Sequence, residues 1–313
     1  MDDTPTTNDQ VTGTDLGWPA LPVAEWETTR DTLHLWTQVV GKVRLARTPL
    51  VNHWWNVTLC VTARGLTTSL MPDGPSRGFQ IDFDFQAHQL EITTTDGRQG
   101  AVTLEPRSVA DFYAEVMGRL DELELSTPIW PMPVEIEGAT PFPDDHDHAS
   151  YNPDAVSRFW RSLVQSDRVL RDFRSRFVGK ASPVHFFWGA FDLAVTRFSG
   201  RTAPPHPGQA PNLGPHVMRE AYSHEVSSCG YWPGGNLEGT YYSYAYPEPA
   251  GFSDWPAIPD GARYDDGLGE FVLPYETVRA AGDPDELLHA FLQGTYEAAA
   301  ERAGWNRAQL ERA

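Results

Sequence analysis

Pro183-Val184-His185-Phe186-Phe187-Trp188-Gly189-Ala190-Phe191-Asp192-Leu193-Ala194-Val195-Thr196-Arg197-Phe198-Ser199-Gly200-Arg201 is the most apolar and aromatic run of the chain, yet a His, an Asp and two Arg are set into it. Its aromatic and β-branched content reads as a central strand. A loop with prolines at 204, 205, 207, 211 and 215 leads to a second polar-studded run, Arg219-Glu220-Ala221-Tyr222-Ser223-His224-Glu225-Val226-Ser227-Ser228-Cys229-Gly230, read as a partner strand. Together the two runs form the one convincing constellation of chemically useful side chains.

Strand geometry decides which of them can cooperate, because side chains alternate faces at about 3.3 Å per residue. His185 and Arg197 share a parity, but a straight strand would hold them roughly 40 Å apart unless it breaks at Gly189. Antiparallel pairing around the proline loop, with Arg197 opposite Arg219, puts Asp192 opposite His224. Asp192 on an apolar strand needs a partner, so a bond to His224, Tyr222 or Arg219 is expected. A buried carboxylate beside an imidazole raises its pKa and fixes its tautomer, a general-base arrangement; a purely structural Asp–His bond is the alternative. His224, Asp192 and Glu220 are therefore the candidate catalytic residues. Arg197, Arg201 and Arg219, with Tyr222 and His185, are candidate ligand contacts, since clustered guanidiniums suit carboxylate or phosphate unless ion pairs consume them.

Working outward, Leu33, Trp36 and Val40 predict a helix from Trp26 to about Val43, and His53–Thr62 reads as extended. Phe79, Ile81, Phe83 and Phe85 alternate with polar residues as in a half-buried strand, and Asp96-Gly97 marks a hairpin. Ser108 with Asp111 starts a helix carrying Val109, Phe112, Val116, Leu120 and Leu123 on one stripe. A proline-rich connector, 126–153, contains Asp144-Asp145-His146-Asp147-His148; with no rigid element to hold geometry, no metal is assigned there. A helix from Asp154 to about Phe177 follows, its arginines forming a solvated face or an anion contact. Tyr242, Tyr244 and Tyr246 share one face of a strand at 240–246, as sheet core or as a pocket wall; Glu270–Leu273 reads as an edge strand. Asp283-Pro284-Asp285-Glu286 starts a last helix, stopped by Gly304.

The order is thus α+β: two related helix–antiparallel sheet–helix halves packed together, a leader at 1–15, a scaffold half at 16–125, and a half at 154–313 carrying the site. Sliding the chain by 134 residues aligns Pro49, Trp54, Leu59, Val61 and Thr62 with Pro183, Trp188, Leu193, Val195 and Thr196, which suggests an internal repeat. His185, Asp192 and Arg197 then fall on Val51, Thr58 and Ala63, so only the second copy has the polar set.

The 313 residues carry a formal charge of −19, which repels nucleic acid at long range, and 40% hydrophobic residues with eleven Trp supply a core. Two cysteines, Cys60 and Cys229, exclude a disulfide framework. No apolar run spans a bilayer and no signal peptide is legible, so a cytoplasmic protein without a membrane or nucleic-acid partner is expected. Phosphate loops, dinucleotide fingerprints, nucleophile elbows and His-Glu-x-x-His are missing; cofactor and oligomeric state stay open.

The runs PVHFFWGAFDLAVTRFSGR and REAYSHEVSSCGYWPGG resemble a bacterial family known only as a domain of unknown function (number five-nine-nine-six). The likeness extends from Trp18-Pro19-Ala20-Leu21-Pro22 to Ala303-Gly304-Trp305 and implies no activity. The leading reading is an enzyme acting on a small polar or anionic molecule through a carboxylate–His site with Arg anchors. A non-catalytic small-molecule or partner-binding protein competes with it, and a metal-dependent enzyme is the weaker alternative.

Overall fold

The computed structural model describes residues 17–235 and 237–312; the expected leader lies outside them. The first half runs α1 (Val23–Arg47), β1 (Cys60–Val61), β2 (Gly65–Thr67), β3 (Met71–Asp73), β4 (Arg77–Asp84), β5 (Gln89–Thr94), β6 (Gln99–Thr103) and α2 (Val109–Glu122). The second runs α3 (Pro153–Ser175), β7 (His185–Phe187), β8 (Asp192–Thr202), α4 (Pro215–Ala221), β9 (His224–Trp232), β10 (Thr240–Tyr246), β11 (Arg263–Asp265), β12 (Glu270–Pro274), α5 (Tyr275–Ala280), α6 (Pro284–Arg302) and α7 (Arg307–Leu310). The fold is α+β, with a helix–antiparallel sheet–helix order in each half.

Local chemistry accounts for the elements. Ser108 Oγ accepts the Asp111 N–H at 3.0 Å and starts α2; Asp283 Oδ1 does the same for Glu286 at the head of α6. One sheet has the order β1-β2-β4-β5-β6 with β3 also on β4; the other is β11-β12-β10-β9-β8-β7. Leu59 and Phe186 exchange backbone bonds of 2.9 and 2.7 Å, which ties the two sheets edge to edge. No helix of the described residues is long and apolar enough to cross a membrane.

Three expectations need correction. Residues 52–54 form a 3-10 turn rather than strand, with His53 and Trp54 both at positive φ (59° and 61°). The run from Arg219 begins as helix: α4 extends to Ala221, so Glu220 shares no strand face with His224. β12 is flanked by β10 and β11 and is not an edge. The aligned stretches 49–62 and 183–196 consequently differ in local structure, turn against strand.

α1 organises the interior. Val23, Trp26, Leu33, Leu35, Trp36, Val39, Val40 and Val43 bury its flanks on all sides, and Trp26 stacks on Phe159 of α3 at 5.3 Å. His34, Gln38 and Lys42 recur every four residues and so lie on one face of this helix. Gln38 grips the connector: its amide donates to the Val134 carbonyl (2.9 Å), and its oxygen accepts the Val134 N–H (2.8 Å). His34 Nε2 bonds the Gly189 carbonyl at 2.8 Å. These bonds place residue 135 against the β7–β8 turn, where the Glu135 carboxyl occupies the space a side chain at Gly189 would need.

Candidate functional site

The two faces of the second sheet do different work. Leu193, Val195, Cys229, Tyr231, Tyr241, Phe271 and Leu273 are buried, and the sheet packs on α3 and α6. The opposite face follows from the register: Ala194 pairs Gly230, Thr196 pairs Ser228, and Tyr242 pairs both Gly230 and Val272. Asp192, Thr196, Ser228, Tyr242, Tyr244 and Glu270 therefore look into one space. It is a cavity of about 880 Å³, walled in part by α1, the 53–57 turn, the connector and α4. Trp54, Trp55, Trp130, Trp188 and Trp232 line it, with Trp130 and Trp232 at 58% and 39% exposure.

Three carboxyls converge on this cavity. Asp192 is 7% exposed and accepts a hydrogen bond from the Tyr242 hydroxyl. Gly230 makes that bond possible, because a side chain there would strike the Tyr242 hydroxyl and the Leu193 carbonyl. Glu135 is exposed to the cavity yet surrounded by protein, and Glu270 is half-buried on β12. Burial pushes Asp192 up to about 6, against the Tyr242 bond. Burial, then repulsion from Asp192, pushes Glu135 and Glu270 up to about 7. No cation among the described residues offsets these shifts.

Lys42 lines the same cavity and is 4% exposed. Its ammonium lies 5.2 and 5.9 Å from the Trp130 and Trp188 rings and meets no hydrogen-bond acceptor or ion-pair partner among the described residues. Burial lowers its pKa to about 8, and no carboxyl acts to restore it. His53 borders the cavity, its Nδ1 3.1 Å from the carbonyls of Glu220 and Ala221 and its Nε2 2.6 Å from Lys180 Nζ.

The residues predicted from sequence scatter. Asp192 and Tyr222 line the cavity; Tyr222 shares a 3.0 Å hydroxyl contact with Tyr244. The Asp192–His224 pairing is corrected: His224 lies opposite Thr202 after a register shift in β8, and its ring bonds Ser223 Oγ. Asp192 is partnered by Tyr242, not by His224, Tyr222 or Arg219. Glu220 instead accepts the His53 N–H. Arg197 points to the opposite face, its guanidinium 3.5 and 4.3 Å from the Phe173 and Tyr296 rings and bonded to the Phe173 carbonyl. Arg201 pairs with Glu225 and with the Ala303 carbonyl at the end of α6. Arg219 is exposed on α4, away from the cavity. His185 is buried, bonded to Thr58, and lowered to about 3. The three arginines thus form no common anchor.

Asp145 of the Asp-His cluster accepts the N–H groups of Asp147 and His148 and bonds the His148 ring at 2.8 Å, a local turn. Among the described residues no three His, Cys, Asp or Glu side chains are arranged to hold a metal ion. Glu135, Glu270 and Lys42 were missed from sequence. Only the polar stripe His34, Gln38 and Lys42 in an apolar helix was there to signal one of them.

The profile of a family described as a family of unknown function (DUF5996) matches residues 18–312. No curated protein and no solved structure matches the chain.

Proposed function

Since the chain belongs to DUF5996, a family whose description carries no activity, we propose its function from the cavity alone: an enzyme that binds a small organic molecule and moves protons on it with carboxyl groups. The observation that carries this reading is that Asp192, Glu135 and Glu270 line one aromatic-walled cavity and pair with no cation among the described residues. Carboxyls held near neutrality are suited to proton transfer, because both protonation states are populated at working pH. Their coupling divides the roles: once one is ionised, the others hold their protons, giving a base and an acid in one cavity. Asp192, fixed by Tyr242, is the best oriented of the three and takes the base role.

A nucleophilic mechanism has less support. The Cys229 thiol is buried on the other face and pushed up to about 12, and Ser228 is bonded to Thr196 at 2.8 Å with no base beside it. His224 stands outside the cavity lining, so the carboxylate–His pair gives way to a carboxyl group of three.

A thermal-shift screen of neutral, cationic and anionic metabolites, followed by turnover assays on the hits, tests this reading. Asp192→Asn, Glu135→Gln and Glu270→Gln should keep binding of at least one hit within about tenfold while reducing turnover by about 10²-fold or more for Asp192. Hits that bind but are never turned over would make the protein a binding protein instead.

A further inference from the structure

The cavity is lined by acids and by a lysine that do not pair with one another. Asp192 repels Glu135 and Glu270, and among the described residues no cation pairs with these acids and no acceptor meets Lys42. Partial desolvation of an ammonium that faces a cavity without a protein partner is costly, as its lowered pKa of about 8 reflects. The two residues on that face with Lys42 each have work to do. His34 and Gln38 hold the backbone of the cavity wall, at Gly189 and Val134. Lys42, one turn further, holds nothing and reaches the cavity between Trp130 and Trp188. The three acids line one cavity, but among the described residues they are not grouped closely enough to ligate a single metal ion. An organic ammonium suits the cavity better, because aromatic faces attract it and its carbon body can fill the space between the walls.

We propose that the cavity takes a bipolar ligand, with an ammonium group at Asp192, Glu135 and Glu270, an anionic group at Lys42, and a flat or apolar body between them against the tryptophans. This rests on the reading of the cavity as a small-molecule site and narrows it to a charge pattern. The ligand neutralises both ends at once, which no described residue does. The overall charge of −19 favours approach of the cationic end.

Four matched series test it by calorimetry and thermal shift: ω-amino acids built on a phenyl ring, 4-(aminomethyl)benzoate and its longer homologues, against benzylamines, 4-methylbenzoates and 4-methylbenzyl alcohols of the same length. At least one bipolar compound should bind about tenfold or more tighter than its three controls, the size of one charge-assisted contact. Lys42→Met should reduce that compound to the affinity of the matching amine, and Asp192→Asn with Glu270→Gln to that of the matching benzoate, in variants whose circular dichroism is native. Equal binding of the alcohols, tighter binding of the benzoates, or a bipolar advantage that survives Lys42→Met would overturn the charge pattern while leaving the cavity a binding site. A lack of binding in all four series, alongside hits of other chemistry in the metabolite screen, would also reject the charge pattern alone. A lack of binding in both screens would reject the cavity reading with it.

Discussion

At the scale of a residue, Asp192 is a buried acid whose carboxyl is bonded by a phenol, Tyr242, and by no cation among the described residues. Its folded pKa of about 6 lies above the ordinary aspartate value near 3.9. Between those two values the folded protein keeps a proton that the unfolded chain has released. Stability contributed by the neutral acid is therefore present at low pH and lost as pH rises through about 6. Asn at this position keeps an acceptor for Tyr242 and never ionises. The melting temperature of Asp192→Asn relative to the native protein should thus rise from pH 4 to pH 7, by a free energy on the order of 2 kcal/mol. The absolute profile is less clean, because His34 and His185, held down at about 4 and 3, lose stability as pH falls below 6.5. A flat difference curve would show that Asp192 is ionised at no cost.

At the scale of an element, α1 carries the load, and its contact with the cavity wall is tight. A side chain at Gly41 would run into the Trp188 indole, which is tied to the Val57 carbonyl by a 2.7 Å bond. Replacing a helical Gly by Ala ordinarily gains about 1 kcal/mol. Overpacking against a fixed ring costs about 1–3 kcal/mol, so here sterics win. Gly41→Ala should lower the urea midpoint and disturb ligand binding by shifting Trp188; a more stable variant would refute this packing. The helix ends follow simpler rules. Ser108 and Asp283 cap as their sequence contexts predict, and Tyr242 and Tyr244 share a face as alternation requires.

At the scale of the whole molecule, the halves are joined by more than the connector. One continuous apolar core holds Trp26, Trp36 and Phe83 of the first half together with Phe159, Phe191 and Leu193 of the second. The cavity likewise takes Lys42 and His53–Val57 from the first half and its sheet face from the second. Splitting the chain would expose both inner surfaces to water. Urea denaturation followed by tryptophan fluorescence and by far-ultraviolet circular dichroism should give coincident single transitions, and a fragment of residues 16–125 should lack a cooperative one. Two separated transitions would mean that the halves are independent domains.

The sequence by itself determined the α+β class, the order of long helices and antiparallel strands, the caps, and the strand in the 183–201 run with Asp192 on it. Those features follow from periodicity and from interactions spanning a few residues. The partner of Asp192 was decided elsewhere. Pairing of β8 with β9 slips past the loop, so that His224 meets Thr202 and Tyr242 of the next strand crosses Gly230 to the carboxyl. Alternation fixes which face a side chain takes but not which neighbour it meets, because register depends on how the whole sheet packs. Glu135 lies in a proline-rich loop and Glu270 at the start of a short strand, positions with no local sign of chemistry. Only the grip of Gln38 on Val134 and the assembly of both halves around α1 bring these acids and Lys42 to one cavity.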